Sequence, residues 1–211
     1  MAKNKIEPNV IISITTHNIV NIPIIVTDFT GNIRTMTHID KIGYNDYHIR
    51  KAIVSIIDGL IPKYGVDTIL IEQNQLFIDK IEKYPDPYVL RNIKLGFGIQ
   101  TTLEDKYWDK IKYIIEIPRW EWKKEVLNRK VDYAIDLYKS HILQRQNLSD
   151  EQIKEIDENN YYETLCLSES MLCSKFLKKS YQVNKWAECL CYTKNFYSKG
   201  DWKIEKRWIR K

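Results

Sequence analysis

Apolar residues recur along this chain at two spacings, and the spacing changes from one element to the next. Residues 10–17 (VIISITTH) and 22–28 (IPIIVTD) are rich in β-branched side chains. They predict two strands joined by a short turn containing Asn. Phe29-Thr30-Gly31-Asn32 is a second turn signal. Residues 33–39 (IRTMTHI) alternate apolar and polar, as a third strand at or near a sheet edge does. Together these make a three-stranded antiparallel meander.

The period then lengthens. Ile49, Ala52, Ile53, Ile56, Ile57 and Leu60 follow helical spacing, with Asn45 or Asp46 placed to cap the start and Pro62 and Gly65 to end the helix. A strand over 66–72 follows. Residues 75–87 are polar, contain Pro85 and Pro87, and read as a loop. A helix over 88–103 carries Gly96 and Gly98, small residues that permit close packing on the sheet at a cost in helix propensity. Residues 111–117 predict a fifth strand ended by Pro118. A long helix over 121–144 places Trp122, Val126, Val131, Ala134, Ile135 and Tyr138 on its apolar side. Residues 147–160 are acidic and polar, a surface loop or a short helix, and a last apolar helix spans 161–178. The order β-β-β-α-β-α-β-α-α implies an α/β domain with a mixed sheet covered by helices.

Within this pattern, Val66-Asp-Thr-Ile-Leu-Ile-Glu72 is the most telling segment. An apolar run reads as a buried parallel strand and ends in a carboxylate, followed by three amides. Open α/β sheets place ligands at the carboxyl ends of their strands. A carboxylate there is costly without a partner. Glu72 is therefore a metal ligand, a base, or the partner of a neighbouring cation.

The hydrophobic content of 44% is that of a globular chain. Neither a transmembrane span nor an apolar signal core is apparent, so the expected compartment is intracellular. Cys166, Cys173, Cys189 and Cys191 do not form paired CxxC motifs. Cys166 and Cys173 fall on one helical face as core thiols, and Cys189 and Cys191 remain a minor candidate for metal or a disulfide. The net charge of +5 is uneven, because residues 178–211 hold ten Lys or Arg against three Asp or Glu. Trp186, Tyr192, Trp202 and Trp208 interleave with these cations. Such a tail suits nucleic acid, or it packs its rings on the core and solvates its lysines. The boundaries that follow are a domain over 1–178 and a basic, aromatic extension over 179–211.

Three stretches carry a family resemblance. They are TILIEQNQ with the following PYVLRNIKLGFGIQ, then IIEIPRWEWKKEVLNRK, then TLCLSESMLCSKF. In this order, across most of residues 10–178, the chain resembles the RuvC-like Holliday junction resolvases of poxviruses and other large DNA viruses. The resemblance implies a ribonuclease H-like fold, a five-stranded mixed sheet with three antiparallel strands and then parallel βαβ units. It implies binding of branched or double-stranded DNA by a homodimer, and cutting of branched DNA with Mg²⁺ held by clustered carboxylates. A viral replication compartment or virion is the implied location.

On this resemblance Glu72 matches the metal-binding Glu of the fourth strand, and Glu169 falls where the later acid of the final helix belongs. Both are the candidate catalytic and metal residues. The first-strand Asp falls near Thr15, and the earlier helix acid near Cys166; neither position is acidic. Ser13, Thr15 and His17 share one strand face, but His17 is displaced by about 7 Å and Asp28 by roughly 13 Å. Glu163 is a further substitute. His38, His48 and His141 have no evident partners and read as surface or cap residues. Arg119, Lys123, Lys124, Arg129 and Lys130 lie where the resembling family faces DNA, and would grip phosphates. The alternative is a solvated helix face with Glu121–Lys124 and Glu125–Arg129 pairs. The expected function is a resolvase-like DNA-binding protein and metal-dependent endonuclease. The alternative is an inactive homologue acting as a DNA-binding, virion structural or protein-interaction component, with the extension as a possible protein-binding site.

Overall fold

A computed structural model describes residues 9–16, 18, 20–73, 87–118, 122–123, 126–127, 135–145 and 148–170. The extension over 179–211, Cys173, Cys189, Cys191, His17 and the 74–86 segment lie outside the described residues.

The strands are β1 (Val10–Ile14), β2 (Asn21–Asp28), β3 (Ile33–Asp40), β4 (Thr68–Gln73) and β5 (Tyr113–Pro118). They form one sheet in the order β3-β2-β1-β4-β5. β1 pairs antiparallel with β2 and parallel with β4, and β5 adds parallel to β4. The helices are α1 (Asp46–Tyr64), α2 (Pro87–Tyr107), α3 (Ile135–Arg145), α4 (Asp150–Asn159) and α5 (Tyr162–Ser170).

Period-two alternation divides the strands between two cores. Ile12, Ile14, Ile24, Ile69 and Ile71 face α1 and α2, meeting Ile49, Ile53, Ile57, Leu95, Ile99 and Leu103. Ile11, Ile25, Leu70, Ile115 and Ile117 face the other way, onto Trp122, Tyr138, Ile142, Leu165 and Cys166. Each fully buried aliphatic side chain contributes about 1.5–3 kcal/mol. Cys166 is a buried free thiol, as its apolar setting implied. Apart from Glu163, α5 is buried along its length because it crosses the middle of the sheet, touching β1, β2 and β4.

Several boundaries differ from the sequence pattern. β1 stops at Ile14, paired with both Ile24 and Ile71, and Thr15 and Thr16 leave the ladder. The Thr16 carbonyl accepts instead from the Lys41 ammonium at 2.6 Å. Helix α1 runs through Pro62 to Tyr64 and ends at Gly65, whose φ of 66° needs no Cβ penalty. Gly98 packs against another helix rather than the sheet: a Cβ there would meet Arg50 Cδ of α1 at 3.3 Å. Within the polar 147–160 segment, Asp150–Asn159 is a helix, fixed by a reciprocal capping box between Ser149 and Gln152 and anchored by buried Ile156. Among the described residues no helix is long and apolar enough to cross a membrane.

Candidate functional site

The carboxyl ends of β1 and β4 lie side by side, because Ile14 pairs with Ile71 in parallel register. Thr15 and Glu72 each follow one residue later, on the face covered by α5. Glu72 is 3% exposed. The β4 register with β5 sets it beside Ile117. The strand thus delivers a carboxylate into an interior position at the sheet edge where ligands of open α/β folds gather.

Helix α5 closes over this edge with hydroxyl groups. Thr15 Oγ1 and Thr164 Oγ1 are 2.5 Å apart and buried. One turn on, Ser168 Oγ lies 2.5 Å from Thr27 Oγ1. Thr27 belongs to the β2 residues that pair with the start of β1, at Ile11. The helix therefore runs from the carboxyl end of β1 toward its amino end, sealing the sheet with two hydroxyl pairs at i and i+4.

Glu169 follows Ser168 and is 5% exposed. Its Oε2 meets His141 Nε2 of α3 at 2.6 Å. His141 is therefore not a surface or cap residue: it joins α3 to α5. Its spacing gave no warning, since the two residues are separated by a whole helix. His38 is likewise engaged, with Nδ1 at 2.6 Å from the Tyr161 hydroxyl. His48 is a surface residue in the first turn of α1, where its backbone N–H donates to the Oδ1 of the N-cap Asn45 at 2.9 Å.

Lys123 is 4% exposed, and its ammonium lies 3.6 Å from Glu163 Oε1. It also stands over the Trp122 and Tyr138 rings, at 5.7 and 5.4 Å. The charge of Lys123 is thus turned inward, a poor position for gripping a phosphate, and Glu163 faces it. Arg119, Lys124, Arg129 and Lys130 lie outside the described residues. Asp28 sits at the other end of the hairpin, opposite Val10, and serves the turn that follows it. Its carboxylate accepts from Thr30, Asn32 and Arg34.

One buried cation at this edge has no counterpart in the sequence pattern. Lys41 is 5% exposed, just after β3. Its ammonium donates to the Thr16 carbonyl, the Asn18 carbonyl and, at 3.1 Å, Asn92 Oδ1 of α2. Burial, and then the nearby Arg91 charge, bring its pKa down to about 8. The lysine ties the β1–β2 connection to α2.

No protein-family model matches the sequence. No curated protein matches it. The structure is similar to that of Thermus thermophilus RuvC, with a TM-score of 0.51 and 8% identity over 80% of this chain and 97% of that one. It is similar to T. thermophilus RuvC in complex with a Holliday junction substrate, again at 0.51 and 8%, over 83% of this chain and 98% of that one. The fold is RuvC-like. The yeast mitochondrial Holliday junction resolvase Ydc2 matches at 0.47 and 11% identity, over 82% of this chain and 79% of that one.

The RuvC-like fold meets the expected mixed five-stranded sheet flanked by helices. Its acid set is a separate matter. Mg²⁺ takes hard oxygen ligands, carboxylates foremost. Among the described residues no group of three or more His, Cys, Asp or Glu is arranged to hold a metal. Beside Glu72, the position at the end of β1 offers a threonine hydroxyl engaged by a second threonine. The described donors at this edge therefore do not fit a divalent-metal centre.

Proposed function

We propose that this protein binds branched DNA through its RuvC-like fold and does not itself cut it. The observation that carries this reading is the Thr15–Thr164 contact at the carboxyl edge of a resolvase-type sheet. Two hydroxyls that bond to each other are weak ligands for Mg²⁺. A fold persists where its chemistry is lost, so the DNA-binding half of the function is the part to expect. The protein acts as a homodimer, matching the two-fold symmetry of a four-way junction. The extension over 179–211, with its cations and rings, adds a phosphate grip or a protein contact.

A second reading is favoured by Glu72 itself. It is a carboxylate held at the carboxyl end of a central strand, where open α/β sheets place their chemistry. On this reading Glu72 and Glu169 serve a metal-dependent endonuclease.

The experiment is cleavage and binding of a labelled four-way junction with Mg²⁺ or Mn²⁺, comparing wild type with Glu72→Gln. Salt-sensitive binding without cutting is the expected result. Cutting that vanishes in Glu72→Gln overturns it in favour of the endonuclease. Absence of any DNA affinity overturns both readings and leaves protein interaction.

A further inference from the structure

A second buried carboxylate stands on the face of the sheet opposite Glu72. In the parallel β4–β5 register Ile71 pairs with Glu116 and Glu72 with Ile117, and side chains alternate across the strands. Glu72 therefore turns toward α5, and Glu116 toward α2. Strand β5 is the end strand of the described sheet, so Glu116 lies near its rim. It is 2% exposed, on the side of the core that holds Ile71, Ile99 and Leu103.

Two side chains of α2 meet it there. Gln100 and Glu104 are one helical turn apart, and both hydrogen-bond to the Glu116 carboxyl. Both are half-buried, so the cluster opens to solvent through them rather than through Glu116. Two of its oxygens are orphaned. Glu116 Oε1 and Gln100 Oε1 are buried and have no hydrogen-bond partner. Among the described residues no Lys or Arg acts on Glu116.

Two carboxylates this close and this dry cannot both carry charge without a positive partner. A shared proton answers the charge but leaves the orphaned oxygens as they are. A divalent cation answers both. Mg²⁺ and Mn²⁺ take oxygen ligands, and Mg²⁺ keeps several of its waters and needs only one or two carboxylates from the protein. A half-turn of the Gln100 amide offers its oxygen as a third ligand. With neither His nor Cys in it, the set suits these hard ions better than Zn²⁺.

We propose that Glu104, Glu116 and Gln100 form a site for a hydrated divalent cation of the Mg²⁺ class, which pins the end strand β5 to α2. The site is separate from the Glu72 edge, on the other face of the sheet, and does not depend on DNA binding. In EDTA the pair holds a shared proton instead.

The test follows Mn²⁺ uptake by the full-length protein at neutral pH, through loss of the free-ion electron paramagnetic resonance signal. Melting temperature is read alongside in Mn²⁺, Mg²⁺ and EDTA. Wild type takes up the ion, Mg²⁺ competes for it, and melting rises by roughly 5–10 °C at a hundredfold excess over Kd. Glu116→Gln and Glu104→Gln each weaken uptake by about tenfold or more and lose the melting shift. Glu72→Gln retains both. Glu116→Gln fills the same space without a charge to bury, Glu104→Gln changes a half-buried position, and circular dichroism checks that each folds. A wild type that takes up no ion overturns the site and leaves the proton. Uptake lost in Glu72→Gln but kept in Glu116→Gln overturns it and moves the cation to the opposite face. Uptake that none of the variants changes is adventitious surface binding and overturns it as well.

Discussion

Thr15, one residue beyond β1, and Thr164, in the first turn of α5, meet hydroxyl to hydroxyl at 2.5 Å in the interior. Each satisfies the other where water cannot reach. Removing one hydroxyl strands its partner, and removing both leaves an apolar contact. Thr15→Val and Thr164→Val should each cost about 1–3 kcal/mol, and the double variant distinctly less than their sum. Urea unfolding of the four proteins checks this. Simple additivity would show that the two side chains do not interact in solution.

Glu116 of β5 is 2% exposed and faces the α2 side of the sheet. Burial first, then a hydrogen bond with the Glu104 carboxyl, push its pKa well above the ordinary carboxyl range, while Gln100 opposes the rise. The folded state therefore keeps a proton that the unfolded chain releases above about pH 4.3. This contribution to stability falls as pH rises from there through the raised folded value. Glu116→Gln cannot lose that proton. Its melting temperature should match wild type near pH 4 and exceed it at neutral pH. An equal deficit at both pH values in calorimetry would contradict the shared proton.

Asp28 behaves in the opposite sense. Burial raises its pKa, but the hydrogen bonds from Thr30 and Asn32 outweigh that and bring it down to about 2. The stability it adds is present above the unfolded value of 3.8 and is lost as pH falls toward 2. Asp28→Asn should lower the melting temperature at neutral pH and converge with wild type near pH 2. A difference that persists unchanged into acid would assign the effect to shape rather than charge.

Lys41, held at about 8 by burial and by Arg91, should titrate far from the lysine value of 10.5. Below pH 8 it is charged in folded and unfolded states alike, and the cost of burying it is fully present. Between 8 and 10.5 the folded state releases the proton first, so this contribution shifts in favour of folding as pH rises. Lysine side-chain NMR reads the titration directly. Lys41→Met removes the donor to Thr16, Asn18 and Asn92, and should destabilise the protein at neutral pH by about 1.5–3 kcal/mol. A Lys41 resonance titrating above 10 would place the amine in water.

The sequence by itself determined the element order and the two-faced sheet. Period-two runs such as VIISI and the helical spacing of Ile49, Ile53 and Ile57 are local signals, and each strand must bury the face its pattern offers. It also marked Glu72, because a carboxylate closing an apolar strand is conspicuous without any partner in view. Over 147–160 the sequence left loop and short helix open, and the structure settles Asp150–Asn159 as helix through the Ser149–Gln152 capping box.

Tertiary structure alone decided which distant side chains meet. His141 with Glu169, Lys41 with Thr16 and Asn92, and Thr15 with Thr164 join residues far apart in the chain. No spacing rule reaches across such separations. Lys123 reads as a cation in a basic helix, yet it is buried beside Glu163, because the crossing of α5 over the sheet brings that acid to it. Periodicity says which face of an element turns inward. Only the packing of one element on another says what it finds there.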